Sequence, residues 1–145
     1  MATVASLALA SCTQVDTEQE LLSNRQKWES AAVSSYELNM QQGCFCPDFI
    51  TRPIHLVVRS SEIMLTYTDD GSRVTDDALE SLFIGPVPKM FDGIKFMIDN
   101  DPDEMRVIYN EEYGFPERIT ADPISSAIDD EFGFSVSNFR IIDDR

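Results

Sequence analysis

The chain has 145 residues, the length of one domain, and 43% of them are hydrophobic, which is enough to bury a core and excludes a disordered chain. Its 26 acidic residues outnumber 11 basic ones and give a net charge of −15. Nucleic-acid binding needs a basic surface, and the chain has no cluster of lysine or arginine, so the charge excludes a nucleic-acid partner. Basic proteins and cations are compatible partners, although the acidity also keeps a domain soluble by itself.

The first segment predicts export. Ala2–Ser11 is a small, apolar run that is too short to span a bilayer and is typical of the apolar region of a signal peptide. It ends in Leu9-Ala10-Ser11-Cys12, which resembles a bacterial lipobox. That resemblance implies cleavage before Cys12 and a diacylglycerol on its sulfur. A signal peptide needs a basic start and the first basic residue here is Arg25, so we expect Met1 to lie inside a longer signal peptide.

These features divide the chain into three parts. We predict a signal peptide over residues 1–11, a lipidated Cys12 with a short tether over residues 12–16, and one domain over residues 17–145. The lipid would anchor the protein to a membrane, so the expected partner is the membrane and the expected location is the cell envelope. Thr13, rather than aspartate, follows Cys12, which favours the periplasmic face of the outer membrane in a Gram-negative source. The alternative is an ordinary apolar terminus with Cys12 buried.

The first half of the domain predicts one helix and three strands. Thr17-Glu18-Gln19-Glu20 matches a capping box, so we expect a helix from Thr17 to about Ser34, with Trp28 in the core. A short strand is expected over Tyr36–Gln41. Alternating apolar residues then predict a hairpin with strands at Ile54–Val58 and Ile63–Tyr67, turned at Ser60-Ser61.

The second half predicts a helix followed by three strands. Asp77 with Glu80 can cap a short helical turn, and apolar residues spaced by three and four from Val87 to Ile98 predict a helix with Pro88 in its first turn. Strands are expected over Met105–Asn110, Phe115–Asp122 and Phe132–Ile142. The order predicts an α+β fold, with an antiparallel sheet and two main helices packed on one face. No internal repeat is visible.

A set of aromatic, cysteine and turn residues runs along the domain: Trp28, Tyr36, Cys44-Phe45-Cys46-Pro47, Phe91, Ile94, Val107-Ile108-Tyr109, Tyr113-Gly114-Phe115-Pro116, Ile119 and Asp122. Together they resemble a known family of small bacterial exported proteins and lipoproteins, classed only as a domain of unknown function. The resemblance covers about residues 24–142 and implies the fold and the envelope location, but no activity. The hairpin turn at Ser60-Ser61-Glu62 departs from the usual Asp-Gly type.

Cys44 and Cys46 are the remaining two of three cysteines if Cys12 carries a lipid. An oxidising compartment favours a disulfide between them, provided that the chain bends at Gly43 and Pro47. A redox-active pair, a metal site and two free thiols remain as alternatives. A metal site would need more ligands than two thiolates, and the single histidine, at position 55, is the candidate third.

One acidic loop has a pattern typical of calcium binding. Asp99, Asp101 and Asp103 occupy the first, third and fifth positions, as in an EF-hand loop. Glu104 replaces the required glycine and Asn110 the required glutamate, so we expect a solvated loop and no metal. We expect no cofactor. Tyr113-Gly114-Phe115-Pro116 predicts a turn, with Gly114 at positive φ and Phe115 entering the core.

The sequence lacks two motifs that mark catalytic sites. There is no Gly-x-Ser-x-Gly sequence and no glycine-rich phosphate loop. We therefore predict a monomeric, non-enzymatic binding or accessory module of the envelope, with an unidentified protein partner. The alternative is a thiol-disulfide or metal-handling protein that acts through Cys44 and Cys46.

Overall fold

The fold is built on one antiparallel sheet. The structure, a computed structural model, describes the backbone of residues 8–144 and the side chains of residues 15–144. Its six strands are β1 (Ser35–Gly43), β2 (Ile54–Arg59), β3 (Glu62–Tyr67), β4 (Glu104–Tyr109), β5 (Pro116–Asp122) and β6 (Phe132–Ile141). They pair in the order β3-β2-β1-β6-β5-β4, so the first and last strands lie side by side in the middle.

The two long helices cover one face of this sheet. The helices are α1 (Ala8–Ala31), α2 (Asp48–Thr51), α3 (Asp76–Leu79) and α4 (Val87–Asp99). Alternation along β1 buries Tyr36, Leu38 and Met40 beneath the helices and leaves the intervening residues on the open face. The predicted α+β class, with two main helices on one face, is confirmed. Within the described part of the chain, no helix combines the length and the apolar character needed to cross a membrane.

The architecture repeats one arrangement. Helix α1 leads into the meander β1-β2-β3, and helix α4 leads into the meander β4-β5-β6. The two halves join where β1 pairs antiparallel with β6, from Tyr36 opposite Ile141 to Gly43 opposite Gly133. A bulge at Asn138, which has a φ of 54°, keeps the inward and outward residues of β6 in phase with β1 on both sides of the irregularity.

Two predictions about helix ends are wrong. Thr17 does not begin the first helix, because the helix already starts at Ala8, in a segment rich in the strong helix formers alanine and leucine. Residues 12–16, predicted as a tether, are therefore helical. The short helix α3 begins after Thr75, whose hydroxyl accepts a hydrogen bond from the Ala78 N–H, and not after Asp77. Helix α2 was not predicted.

The predicted turn at Gly114 is confirmed, with a φ of 79°. A Cβ atom at this position would lie 2.4 Å from the carbonyl oxygen of Asn24, so only glycine lets the β4–β5 turn approach α1 this closely. Phe115 then enters the core, as expected. The turn and the helix thus fix each other's position.

Aromatic side chains fill the space between α1 and the sheet. Trp28, which is buried, meets Tyr36, Phe115 and Phe139 edge to face, with ring centroids 5.2, 6.2 and 6.1 Å away. The Tyr36 hydroxyl accepts a hydrogen bond of 3.0 Å from the N–H of Val87, at the start of α4. Burial raises the pKa of Tyr36 to about 12, although the Val87 N–H acts in the opposite direction. Tyr36 therefore links the sheet to both long helices.

Tyr36→Phe should destabilise the protein. It removes the acceptor for the buried Val87 N–H, and an unsatisfied buried donor costs about 1–3 kcal/mol. Tyr109→Phe is the matched control, because the Tyr109 hydroxyl is buried and finds no hydrogen-bond partner within the described residues. We expect this control to be neutral or stabilising. Urea unfolding of the whole chain measures both, and equal losses of unfolding free energy would contradict this account.

Candidate functional site

A groove lies at one end of the β1–β6 pairing, on the open face of the sheet. Its floor is formed by Gly43 and Gly133, which are direct partners in the ladder. A Cβ atom on either glycine would lie 3.8–3.9 Å from the other's carbonyl oxygen, an ordinary contact, and neither has a positive φ. The backbone therefore does not require glycine at either position. The effect of the two glycines is to leave the floor free of side chains.

The two walls of the groove differ in chemistry. One wall is the loop after β1, where the ring of Phe45 is 84% exposed. The other wall is the segment just before β6, which contributes Asp129 and Glu131. Ile128, beside Asp129 in the chain, is also exposed. The site thus places an apolar surface next to carboxylates.

The loop that carries Phe45 is closed by its two cysteines. The sulfur atoms of Cys44 and Cys46 lie at bonding distance, and their Cα atoms are 5.2 Å apart, within the range of disulfides. A ring of three residues leaves the intervening side chain no room to fold back, so Phe45 points outward. The predicted disulfide fits this arrangement, and its redox state in the cell stays a prediction.

Gln42 holds this loop from the core side of the sheet. Its side chain is buried, its Oε1 accepts a hydrogen bond of 2.6 Å from the Ser81 hydroxyl, and its Nε2 donates to Cys44 Sγ at 3.5 Å. A buried amide with both ends bonded is fixed in orientation. The Cys44 sulfur therefore faces a polar donor, whereas no such contact is found for Cys46 within the described residues.

A row of carboxylates runs across the sheet beside the groove. Asp122 on β5 lies opposite Glu104 on β4, and Glu131 precedes the neighbouring strand β6. Desolvation raises the pKa of the Asp122 carboxyl, and repulsion from Asp130 and Glu131 raises it further. In the described part of the chain, no three acidic, histidine or cysteine side chains are placed so that they could hold a metal ion. The row is thus a set of repelling charges.

The structure does not bring His55 to the cysteines. His55 lies opposite Asn39, and its Nδ1 is 2.8 Å from the Asn39 side-chain oxygen. Cys44 follows Asn39 by five residues, which is about 16 Å along an extended strand. The metal site that used His55 as a third ligand to Cys44 and Cys46 is therefore not formed.

The three aspartates whose spacing is typical of a calcium loop, for which no metal was expected, are also used separately. The Asp99 carboxylate pairs with Lys95 at 2.5 Å. Asp103 accepts hydrogen bonds from the N–H and the hydroxyl of Ser125, at 2.7 and 2.9 Å, and so holds the β5–β6 loop. Asp101 takes a positive φ of 51° after the end of α4. The Asp99 carboxylate thus pairs with a lysine and the Asp103 carboxylate holds a loop, and within the described residues the three aspartates form no group that could hold a metal ion.

Sequence reasoning missed four residues of the site: Gln42, Asp129, Glu131 and Gly133. Gln42 had a signal, because it continues the inward alternation of Leu38 and Met40 and so had to be buried and hydrogen-bonded. The other three had none, because they meet the cysteine loop only through the pairing of β1 with β6.

Asp122→Asn and Asp103→Asn should change stability in opposite directions. The pKa of Asp122 is raised by folding, so its charge disfavours the folded state above its ordinary titration range, and Asp122→Asn should stabilise the protein at neutral pH. Hydrogen bonds from Ser125 lower the pKa of Asp103, so Asp103→Asn should destabilise it there. Each change in stability should vanish once the pH falls below the pKa values of the aspartate in both the folded and the unfolded state.

Melting temperature measured from pH 7 down to pH 3 tests this pair of substitutions. The raised pKa predicts that the gain from Asp122→Asn fades as acid protonates Asp122. A gain independent of pH would mean that the effect comes from packing and not from charge.

Comparison with known proteins gives a match to a protein family. The sequence model of a protein family described as "Family of unknown function (DUF6174)" matches residues 20–141, which include every residue of the groove. No curated protein and no solved structure matches the chain. Cys12 lies outside the matched range.

Proposed function

We propose that this chain, which belongs to the DUF6174 family of unknown function, is a lipid-anchored protein of the bacterial envelope that binds a basic protein segment. The observation that carries the proposal is the exposure of Phe45 on a loop closed by two cysteines. A large aromatic side chain held in water by a covalent ring has no role in the core. It is available for contact with a partner.

The short ring supports binding because it limits the conformations of the loop before contact. Ordering of flexible loops and side chains lowers affinity, and a preorganised loop avoids most of that cost. Aromatic residues surrounded by polar groups also provide much of the binding energy in protein interfaces. Phe45 beside Asp129 and Glu131 has this composition.

The charge of the groove supports a basic partner. The groove has carboxylates on one wall, and the chain as a whole carries −15. A segment with lysine or arginine next to an apolar residue satisfies both walls, because the apolar residue covers Phe45 and the cation meets Asp129 or Glu131. The net charge also increases the rate at which a basic partner arrives.

The lipobox supports the location. If Cys12 carries the lipid, the anchor continues directly into α1, because residues 12–16 are helical. Because a helix is stiffer than a flexible tether, the domain could not move far from its anchor and would stay close to the bilayer surface. The proposed location is the periplasmic face of the outer membrane in a Gram-negative source, where disulfides also form.

Lipidation predicts that Cys12→Ala abolishes incorporation of radioactive palmitate. The chain is expressed in a Gram-negative host with a basic signal segment placed before Met1, and the label is followed on a gel. Cys44→Ser/Cys46→Ser is the matched control and should keep the label. Persistence of the label in Cys12→Ala, or its absence from the unmodified chain, would refute the anchor.

Binding through the groove predicts that Phe45→Ala loses the partner without loss of stability. The chain is cross-linked in envelope preparations, and the captured proteins are identified by mass spectrometry. Phe96→Ala, an exposed phenylalanine on α4, is the matched control and should keep the same partner. A partner captured equally by both variants would contradict the groove as the site, and a captured acidic protein would contradict the charge argument.

A second function, thiol-disulfide exchange, is favoured by the contact between Gln42 and Cys44 Sγ. In that reaction a partner dithiol would be oxidised to a disulfide while the Cys44–Cys46 bridge takes up two electrons and two protons. The amide donor would stabilise a Cys44 thiolate. Cys44→Ser/Cys46→Ser separates the two functions in the capture experiment: exchange requires the cysteines and tolerates Phe45→Ala, whereas binding requires Phe45.

A further inference from the structure

Strand β4 is an uncovered edge of the sheet, because it pairs with β5 alone. The N–H of Asp103 donates to the carbonyl of Pro123, next to β5, so the backbone groups of every second residue from there face β5. The intervening residues direct their N–H and C=O groups away from the sheet. The residues whose backbone groups face outward are Glu104, Arg106 and Ile108. Across the described part of the chain, no other segment forms hydrogen bonds with these outward N–H and C=O groups.

Two of these three residues carry opposite charges. Glu104 and Arg106 are exposed, lie on the open face of the sheet, and form no ion pair within the described residues. The nearest cross-strand neighbour of Glu104 is Asp122, which has the same charge. Opposite charges that face each other across strands stabilise pairing, and like charges oppose it. This edge therefore lacks a cation opposite Glu104 and an anion opposite Arg106.

We propose that a second copy of this chain pairs with β4 in antiparallel orientation, with Glu104 of each copy opposite Arg106 of the other. Both residues direct their backbone groups outward, as hydrogen-bonded pairs of an antiparallel ladder require. The two-fold axis then passes between the two copies of Met105. This pairing supplies each acidic row with an arginine from the other copy.

The charges select one register. If the strands slide so that residue 106 faces residue 106, two arginines meet. If they slide further in the same direction, Arg106 faces Ile108 and Glu104 faces no cation. Edge strands often carry charges that prevent pairing. Here the negative charge of Glu104 and the positive charge of Arg106 lie two residues apart, so they oppose other registers and favour this one.

The apolar side of β4 fits the same axis. Met105 is half-buried on the helix face of the sheet, and in this register it meets Met105 of the second copy at a pair where side chains approach closely. The six strands of each copy would form one continuous sheet. Because the axis is perpendicular to that sheet, both grooves would open on the same side.

A charge exchange tests the pairing. The whole chain, carrying Cys12→Ser so that no lipid is attached, is studied by analytical ultracentrifugation over a wide concentration range. Arg106→Glu should raise the dissociation constant by at least about tenfold, because it sets carboxylates opposite each other. Glu104→Arg should do the same, and the double variant Glu104→Arg/Arg106→Glu should restore the original value. A monomer at every concentration, or a double variant as weak as the single ones, would overturn the proposal.

A cysteine at the axis tests the register. In Met105→Cys the two new thiols belong to facing residues whose Cα atoms are about 4.5 Å apart, and they should form an intermolecular disulfide under mild oxidation. Val107→Cys is the matched control, because the Cα atoms of the two copies of residue 107 would be about 14 Å apart, beyond the reach of a disulfide. Cross-linking through Val107 and not through Met105 would overturn the register.

Discussion

The pairing of β1 with β6 is the constraint on which the rest of the structure depends. Each half of the chain forms a helix and a three-stranded meander, and a meander of three strands leaves its outer edges unpaired. The β1–β6 ladder removes one such edge from each half and creates a sheet wide enough to carry both long helices. It also brings the cysteine loop, which ends β1, next to the acidic segment that begins β6. The groove exists because of this ladder.

Two polar side chains on the buried face of β1 secure the link between the halves. Tyr36 accepts from the N–H of Val87 and Gln42 bonds to Ser81, so both hold the segment that connects β3 to α4. Buried polar groups specify one arrangement because any other leaves them unsatisfied. β1 therefore orients the entry to the second half and pairs with its last strand.

The sequence predicted the parts of the fold that depend on neighbouring residues. Alternation identified the β2–β3 hairpin, three- and four-residue spacing identified α4, and Gly114 identified the tight turn. The prediction that the first helix begins at Thr17 failed because residues with high helix propensity also precede the capping box, and the helix extends through them. The repeated arrangement of helix and meander could not be predicted from the sequence, because the two halves share a topology and no repeated sequence pattern. Phe45 could be placed on its loop from the sequence, but Asp129 and Glu131 could not be placed beside it.

The central position of β6 has a consequence for the order of events during synthesis. Gly43 and Gly133, which face each other in the sheet, are joined by 90 residues of chain, and closing so long a loop is slow. The second meander and the six-stranded sheet cannot be completed while β6 is still inside the ribosome, although β1, β2 and β3 can already pair. The β1–β6 ladder, and with it the full six-stranded sheet, therefore forms only after β6 becomes available. Until β6 pairs, the inner edge of β1 stays open, and an unpaired edge is a template for pairing with another chain. The interval before β6 pairs is therefore the one in which the chain is most exposed to aggregation.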